Sequence, residues 1–154
     1  MIESSMSKPR RMLCAVYVAV AAVALVATWR QNLAFGQELG AGPGEMFFLF
    51  WPALLVNRAT ISITVDLFLM VLAAVFFMVL EARRLQIRRV WLYVVFGMLI
   101  AISVTFPLFL VARERRLAVL DAEATEPSPS VSDKLGLGLV TACTLAFAVW
   151  CTLR

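Results

Sequence analysis

The chain has 154 residues and is 62% hydrophobic, whereas soluble domains are about 45–50% apolar. The apolar residues are concentrated in long runs, so the core of a soluble domain does not account for them, and no room is left for a second domain. The formal net charge is +4, and the basic residues lie at the ends of the apolar runs, where they set orientation in a membrane. This placement argues against nucleic-acid binding.

The signals for catalysis and metal binding are weak. The sequence contains no histidine, which removes the commonest general base and metal ligand. Cys14, Cys143 and Cys151 lie in apolar runs without CxxC spacing and are typical of small buried side chains. No nucleophile–base pair, metal-ligand spacing or phosphate-binding loop is present. The sequence therefore predicts no catalytic residue, no metal and no cofactor.

The apolar runs predict an all-α integral membrane protein, a four-transmembrane-helix bundle that forms one domain. Each run is about long enough to cross a hydrocarbon core of ~30 Å. A signal peptide is the alternative for the first run, but the run is too long and lacks a small-residue cleavage site, so an uncleaved helix is favoured. The predicted spans are residues 12–29, 59–80, 90–112 and 135–153.

A shorter apolar segment, Met46 to Val56, lies between the first two spans. Eleven residues cannot cross a bilayer, and aromatic side chains concentrate at the headgroup level. The segment carries Phe47, Phe48, Phe50 and Trp51. It is predicted to be re-entrant or interfacial.

The basic residues predict which side of the membrane each loop faces. Four arginines lie within residues 81–89, so this loop and both termini are predicted to be cytoplasmic. Residues 30–58 and 113–134 are then predicted to face the outside, and the serine- and proline-rich stretch 117–134 is predicted to be a flexible linker.

Small residues predict how the spans pack. Gly97, Ala101 and Thr105 recur at intervals of four, which places them on one face of the third span and favours close helix approach. Gly138, Ala142 and Ala146 repeat the pattern in the fourth span. Pro107 frees the carbonyl of Ser103 and predicts a kink.

Asp66 is the one ionisable residue deep within a predicted span. It lies seven residues from Ala59, about 10 Å from the outer end of its helix, where a charge costs at least ~2.5 kcal/mol. Such residues usually face a bundle interior. Three roles stay open: a structural group bonded to a neighbouring helix, a proton- or cation-coupling site, and a contact to a bound ligand.

Other polar residues are predicted to form a layer with Asp66. Arg58 and Ser62 precede it at intervals of four, and Thr105 and Ser103 of the third span lie at a similar depth. Arg30 lies at the outer edge, where snorkelling to headgroups is the favoured interpretation. The candidate ligand-binding or coupling residues are Asp66, Ser62, Arg58, Asn57, Thr105, Ser103 and Arg30.

Several segments together resemble a bacterial family known as domain of unknown function 2834. They are Asn57 to Asp66, Glu81 to Leu85, Trp91, Ser103 to Leu110, and Arg113 to Arg115. The resemblance covers roughly residues 28–116. It departs at Arg58, where the family often has proline, and at Ile63 and Thr64, where it often has aromatics. The resemblance implies a multi-pass protein of the bacterial inner membrane and brings no established activity.

Two classes of function follow. The favoured one is a non-enzymatic module, either an accessory subunit or a binder of a lipid or other apolar ligand, with the bilayer and a membrane protein as partners. The alternative is a small proton-coupled transporter using Asp66, although polar groups reach it only from the outer side. A lipid- or isoprenoid-modifying enzyme would need a second acidic or aromatic catalytic group.

Overall fold

The computed structural model describes residues 6–120 and, beyond them, residues 131, 135, 142 and 146. The chain divides into two units, residues 1–120 and 121–154, and the description that follows concerns the first. Most of the predicted linker 117–134 and of the predicted fourth span 135–153 lies outside the described residues.

Residues 6–120 fold into helices, so the predicted all-helical class is confirmed there. The helices are α1 (Lys8–Leu39), α2 (Pro43–Ala53), α3 (Arg58–Arg84), α4 (Val90–Leu99) and α5 (Ile102–Leu120).

Local signals explain where these helices begin and end. The Ser7 side chain accepts a hydrogen bond from the backbone of Arg10 at the start of α1. Gly40 ends α1 in the left-handed conformation, with a φ of 62°, which costs glycine little. Asn57 and Thr60 form a reciprocal capping box that fixes the start of α3.

Two of the helices, α1 and α3, are long and apolar enough to cross a membrane, by length and composition. The helix α1 continues well past the predicted boundary at residue 29. Most of the predicted short segment, residues 46–53 of 46–56, lies in α2, whose Phe50 packs edge-to-face against Phe35 of α1.

The predicted single helix over residues 90–112 is wrong. The chain leaves helical structure at Ile100 and Ala101, and α4 and α5 fold back on each other as a hairpin. The rings of Tyr93 and Phe109 lie 5.8 Å apart, whereas a straight helix would separate them by about 24 Å. The expected third long helix is therefore replaced by two antiparallel arms, called here the α4–α5 hairpin.

The close approach of the two arms depends on Gly97. A Cβ atom at this position would lie 2.7 Å from Oγ1 of Thr105 and 3.0 Å from Cδ1 of Ile102. Gly97 and Thr105 were expected on one face of a single helix, but they face each other across the turn. Pro107 is buried within α5 and does not end the helix. The turn lies earlier in the chain, at Ile100 and Ala101.

The core lies between α3 and the α4–α5 hairpin. Met78 of α3 and Phe109 of α5 are fully buried, and Ala82 and Val90 complete the buried cluster. On its other side α5 packs along α1, with Ala21 and Ala118 buried. Burial of Phe109 on α5 against Met78 on α3 therefore favours the folded-back arrangement, since a bulky apolar side chain gains most when it is fully covered.

Candidate functional site

A buried ion-pair cluster joins the end of α3 to α5. Arg113 donates from Nε to Oε1 of Glu81 at 2.8 Å and from Nη1 to Oε1 of Glu114 at 2.7 Å. Arg84 donates to both oxygens of Glu81, at 2.8 and 2.6 Å. The carboxylates of Glu81 and Glu114 are 10% and 9% exposed, and Arg113 is 25% exposed. These four residues are called the Glu81 cluster.

The arginines keep Glu81 ionised. The hydrogen bond from Arg84 lowers the pKa of the Glu81 carboxyl, and the hydrogen bond and positive charge of Arg113 lower it further, whereas burial acts in the opposite direction. Glu81 lies just beyond the apolar stretch 59–80 of α3. The cluster therefore acts at neutral pH as a charged clamp between α3 and α5.

The same contacts bring four chain segments to one end of the bundle. Arg116 donates from Nε to the carbonyl oxygen of Leu85 at 2.9 Å, and Glu114 acts electrostatically on Cys14 and Tyr17 near the start of α1. The start of α1, the end of α3, the start of α4 and the end of α5 thus lie together. The basic residues of this end lie in residues 8–11, 83–89 and 113–116, and it is called here the basic end.

This grouping corrects the expected placement of residues 113–116 on the side opposite to residues 81–89. Within residues 6–120, the basic end carries ten lysines and arginines and two acids, which gives a net charge of +8. The opposite end, called the distal end, carries Arg30, Arg58, Glu38 and Glu45 and is neutral in sum. Within residues 6–120 the lysines and arginines are therefore divided ten to two between the ends, whereas the predicted topology divides the same residues seven to five.

Asp66 does not face the bundle as expected. The covered face of α3 carries Thr64, Val71, Val75 and Met78. Val75 lies nine positions from Asp66, which at about 100° per residue places it on the opposite side of the helix. Asp66 is exposed, and within residues 6–120 it has no hydrogen bond or ion pair.

The other predicted site residues are not brought together around Asp66. Ser62 and Arg58 are exposed on α3, and Ser103 is exposed near the start of α5. Thr105 is buried beside Gly97, and its Oγ1 has no hydrogen-bond partner among the described residues.

Two further candidates also lie apart from Asp66. The side chain of Asn57 is occupied in the cap of α3, and Arg30 is exposed on α1. The predicted polar layer does not form among the described residues, because Phe106, near the turn of the α4–α5 hairpin, contacts Phe77 of α3, about 16 Å along the helix from Asp66.

The chain matches the family described as protein of unknown function DUF2834 over residues 16–115, about two thirds of its length. The chain belongs to the DUF2834 family. No curated protein and no solved structure matches it.

The matched region of this DUF2834 protein contains both parts of the candidate site. It includes Asp66 as well as Glu81 and Arg113, and it spans the whole turn of the α4–α5 hairpin. The predicted resemblance is therefore confirmed, and the match begins earlier than expected, within α1. Two groups of residues in this DUF2834 protein thus need a role: an exposed carboxylate on α3 and a buried charged clamp beneath the basic end.

Sequence reasoning missed the Glu81 cluster because it assigned Glu81 and Arg113 to opposite sides. One signal could have suggested the pairing. Each of the two segments, residues 81–84 and 113–116, combines one glutamate with arginines directly after a long apolar run, and a buried carboxylate needs such a partner.

A pocket lies at the distal end of this DUF2834 protein. It lies between α1 and α2, has a volume of about 310 Å³, and combines Phe35, Phe50 and Leu54 with the polar side chains of Asn32 and Glu38. None of the seven predicted site residues lines it. Among residues 6–120 no three His, Cys, Asp or Glu side chains are grouped as a metal site.

Proposed function

We propose that this DUF2834 protein is an integral membrane protein whose helices α1 and α3 cross the bilayer. Their length and apolar composition support this. Each arm of the α4–α5 hairpin has an apolar stretch of about 15 Å, half of a typical hydrocarbon core. The hairpin would enter from the basic end and return to it, and the positive charge of that end favours the cytoplasmic side.

The irregular backbone at Ile100 and Ala101 is compatible with this placement. Non-helical backbone at membrane depth is tolerated where protein covers it. Both residues are half-buried, and the backbone amides of Val104 and Thr105 bond to the carbonyl of Ala101. The tip is therefore partly covered by the hairpin's own packing.

Within the membrane, the proposed function is that of a non-enzymatic accessory subunit that binds a transmembrane helix of another protein. The observation that carries the proposal is the exposure of Asp66 on an apolar helix face. The exposed neighbours on that face, at alternating intervals of four and three, define the Asp66 stripe: Ala59, Ile63, Asp66, Met70 and Ala73.

The acyl chains of lipids offer neither a hydrogen-bond donor nor a positive charge to the Asp66 carboxylate at this depth. A carboxylate about 10 Å inside the hydrocarbon costs at least ~2.5 kcal/mol unless it is protonated or paired. A helix that carries lysine or arginine at the same depth would pair with it, and Ala59 and Ala73 permit close backbone approach. A second copy of this chain in parallel orientation fits poorly, because it would bring another aspartate to the same depth.

The transporter alternative has less support. Proton or cation coupling through Asp66 needs further polar groups around it. Among residues 6–120, no side chain from another helix bonds to Asp66. The enzymatic alternative also has less support, because no second acidic side chain within residues 6–120 bonds to Asp66.

Photo-crosslinking in native membranes tests the accessory-subunit proposal. A crosslinking residue at Ile63 or Met70 of the Asp66 stripe is expected to give an adduct with one membrane protein. The matched control is Leu72, which is also exposed but lies on a different face. Asp66→Leu is expected to abolish the adduct at Ile63.

Identification of the partner by mass spectrometry then allows a charge swap. Asp66→Lys is expected to remove the adduct, and a second change of the partner's lysine or arginine to aspartate is expected to restore it. Adducts with lipid alone, or a protein adduct that persists in Asp66→Leu, would contradict the proposed pairing.

A further inference from the structure

Several arginines of the basic end are exposed and make no ion pair or hydrogen bond within residues 6–120. We propose that this end binds the headgroups of anionic phospholipids through Arg88, Arg89 and Arg115. The inference requires the membrane placement proposed above, but it does not depend on the Asp66 stripe or its partner.

The acids of the basic end do not oppose such binding. Within residues 6–120 this end has two carboxylates, Glu81 and Glu114, and both are buried. Arg113 bonds to both of them, and Arg84 bonds to Glu81. An approaching anion therefore meets no exposed carboxylate among the described residues of this end.

Arg88, Arg89 and Arg115, in contrast, are exposed and make no hydrogen bond or ion pair within residues 6–120. Arg88 and Arg89 extend from the loop between α3 and α4, called here the support. This loop is anchored to α3, because the backbone amide of Ile87 bonds to the carbonyl of Ala82 at 2.8 Å.

The end of α5 lies against this support, because Arg116 bonds to the carbonyl of Leu85. Arg88, Arg89 and Arg115 therefore extend from neighbouring segments. Their positive charges add in attracting a phosphate, whose oxygens match the guanidinium group well.

The residues after this loop favour a phospholipid over a free phosphate. Arg89 has a left-handed φ of 63°, which residues other than glycine seldom adopt, and it directly precedes the first residue of α4. The next exposed residue is Trp91, at 55%. Tryptophan concentrates at the boundary between headgroups and acyl chains, so a cationic and an aromatic contact for one lipid lie next to each other in the chain.

Native mass spectrometry of the full chain tests this inference. The protein is presented with mixed micelles that contain equal amounts of phosphatidylglycerol and phosphatidylcholine, and the retained lipids are counted. The parent is expected to retain phosphatidylglycerol at least tenfold more often, and Arg88→Gln/Arg89→Gln/Arg115→Gln is expected to reduce the preference below about twofold. Unchanged circular dichroism would show that the triple variant is folded.

The matched control is Arg30→Gln/Arg58→Gln, which removes two exposed arginines from the distal end and is expected to keep the preference. If the triple variant does not fold, Arg88→Gln and Arg115→Gln alone are each expected to weaken the preference about fivefold. A preserved preference in the arginine variants, an equal loss in the control, or full displacement of phosphatidylglycerol by inorganic phosphate would overturn the proposal.

Discussion

Arg113 reaches Glu81 across 32 positions of the chain, with its Nε 2.8 Å from Oε1 of the glutamate. Together with the bond from Arg116 to the carbonyl of Leu85, this contact holds the end of α5 beside the end of α3. It therefore determines on which side of the protein the chain leaves residue 120, and the expected sidedness of every arginine in residues 113–116 depends on it.

Cysteine labelling tests this sidedness directly. With the native cysteines changed to serine, Arg88→Cys and Arg115→Cys are expected to react with an impermeant reagent from the same side of the membrane, since both lie at the basic end. Glu45→Cys at the distal end is the control and is expected to react from the opposite side. Labelling of Arg115→Cys together with Glu45→Cys would show that residues 90–112 cross the membrane after all.

The buried clamp predicts unequal losses of stability for the two arginines bonded to Glu81. Arg113→Gln leaves Glu81 and Glu114 buried without their shared partner, so the free energy of unfolding in detergent is expected to fall by about 3 kcal/mol. Arg84 is 64% exposed, so Arg84→Gln is expected to cost at most about 1 kcal/mol. Equal losses in reversible unfolding experiments would contradict the assigned roles.

The lowered pKa of Glu81 predicts acid sensitivity. Because the folded protein binds the proton on Glu81 less readily than the unfolded chain does, the stability from this group is fully present above the unfolded pKa. It is lost as the pH falls below about 4 and through the lower folded pKa.

Unfolding measured against pH checks this prediction. The advantage of the parent over Glu81→Gln is expected to shrink toward zero in acid. A constant difference between the parent and Glu81→Gln would show that ionisation of Glu81 does not stabilise the fold.

Gly97 predicts a steric limit at the hairpin tip. Gly97→Ala forces the new methyl group against Oγ1 of Thr105 and is expected to lower the free energy of unfolding by about 1–3 kcal/mol. Thr105→Ala removes the opposing oxygen and is expected to restore part of that loss. Gly44→Ala is the control, since no atom lies within 4 Å of its added Cβ; a loss as large at Gly44 would exclude the steric explanation.

Asp66 is expected to be nearly neutral for the stability of the isolated chain. It is exposed and makes no described bond, so Asp66→Leu is expected to change the free energy of unfolding by less than about 0.5 kcal/mol. The same variant is expected to lose the crosslink from Ile63. A loss of several kcal/mol in purified protein would show that Asp66 stabilises the fold itself.

Local signals in the sequence determined most of the helices. The capping box at Asn57 and the glycine at residue 40 mark helix ends, and the apolar runs of α1 and α3 are long enough to be recognised without tertiary information. The DUF2834 resemblance was also readable from the sequence, because the segments that carry it follow one another within residues 57–115, inside the matched region.

Only the tertiary structure decided the course of residues 90–120 and the direction in which Asp66 points. An apolar stretch of this length has the same composition whether it crosses a bilayer once or folds back on itself. The choice depends on contacts between distant residues, namely Phe109 with Met78 and Arg113 with Glu81. These contacts stabilise the turn at Ile100 and Ala101 only once the distant partners have come together. The local hydrophobic periodicity of residues 90–112 therefore does not indicate the turn.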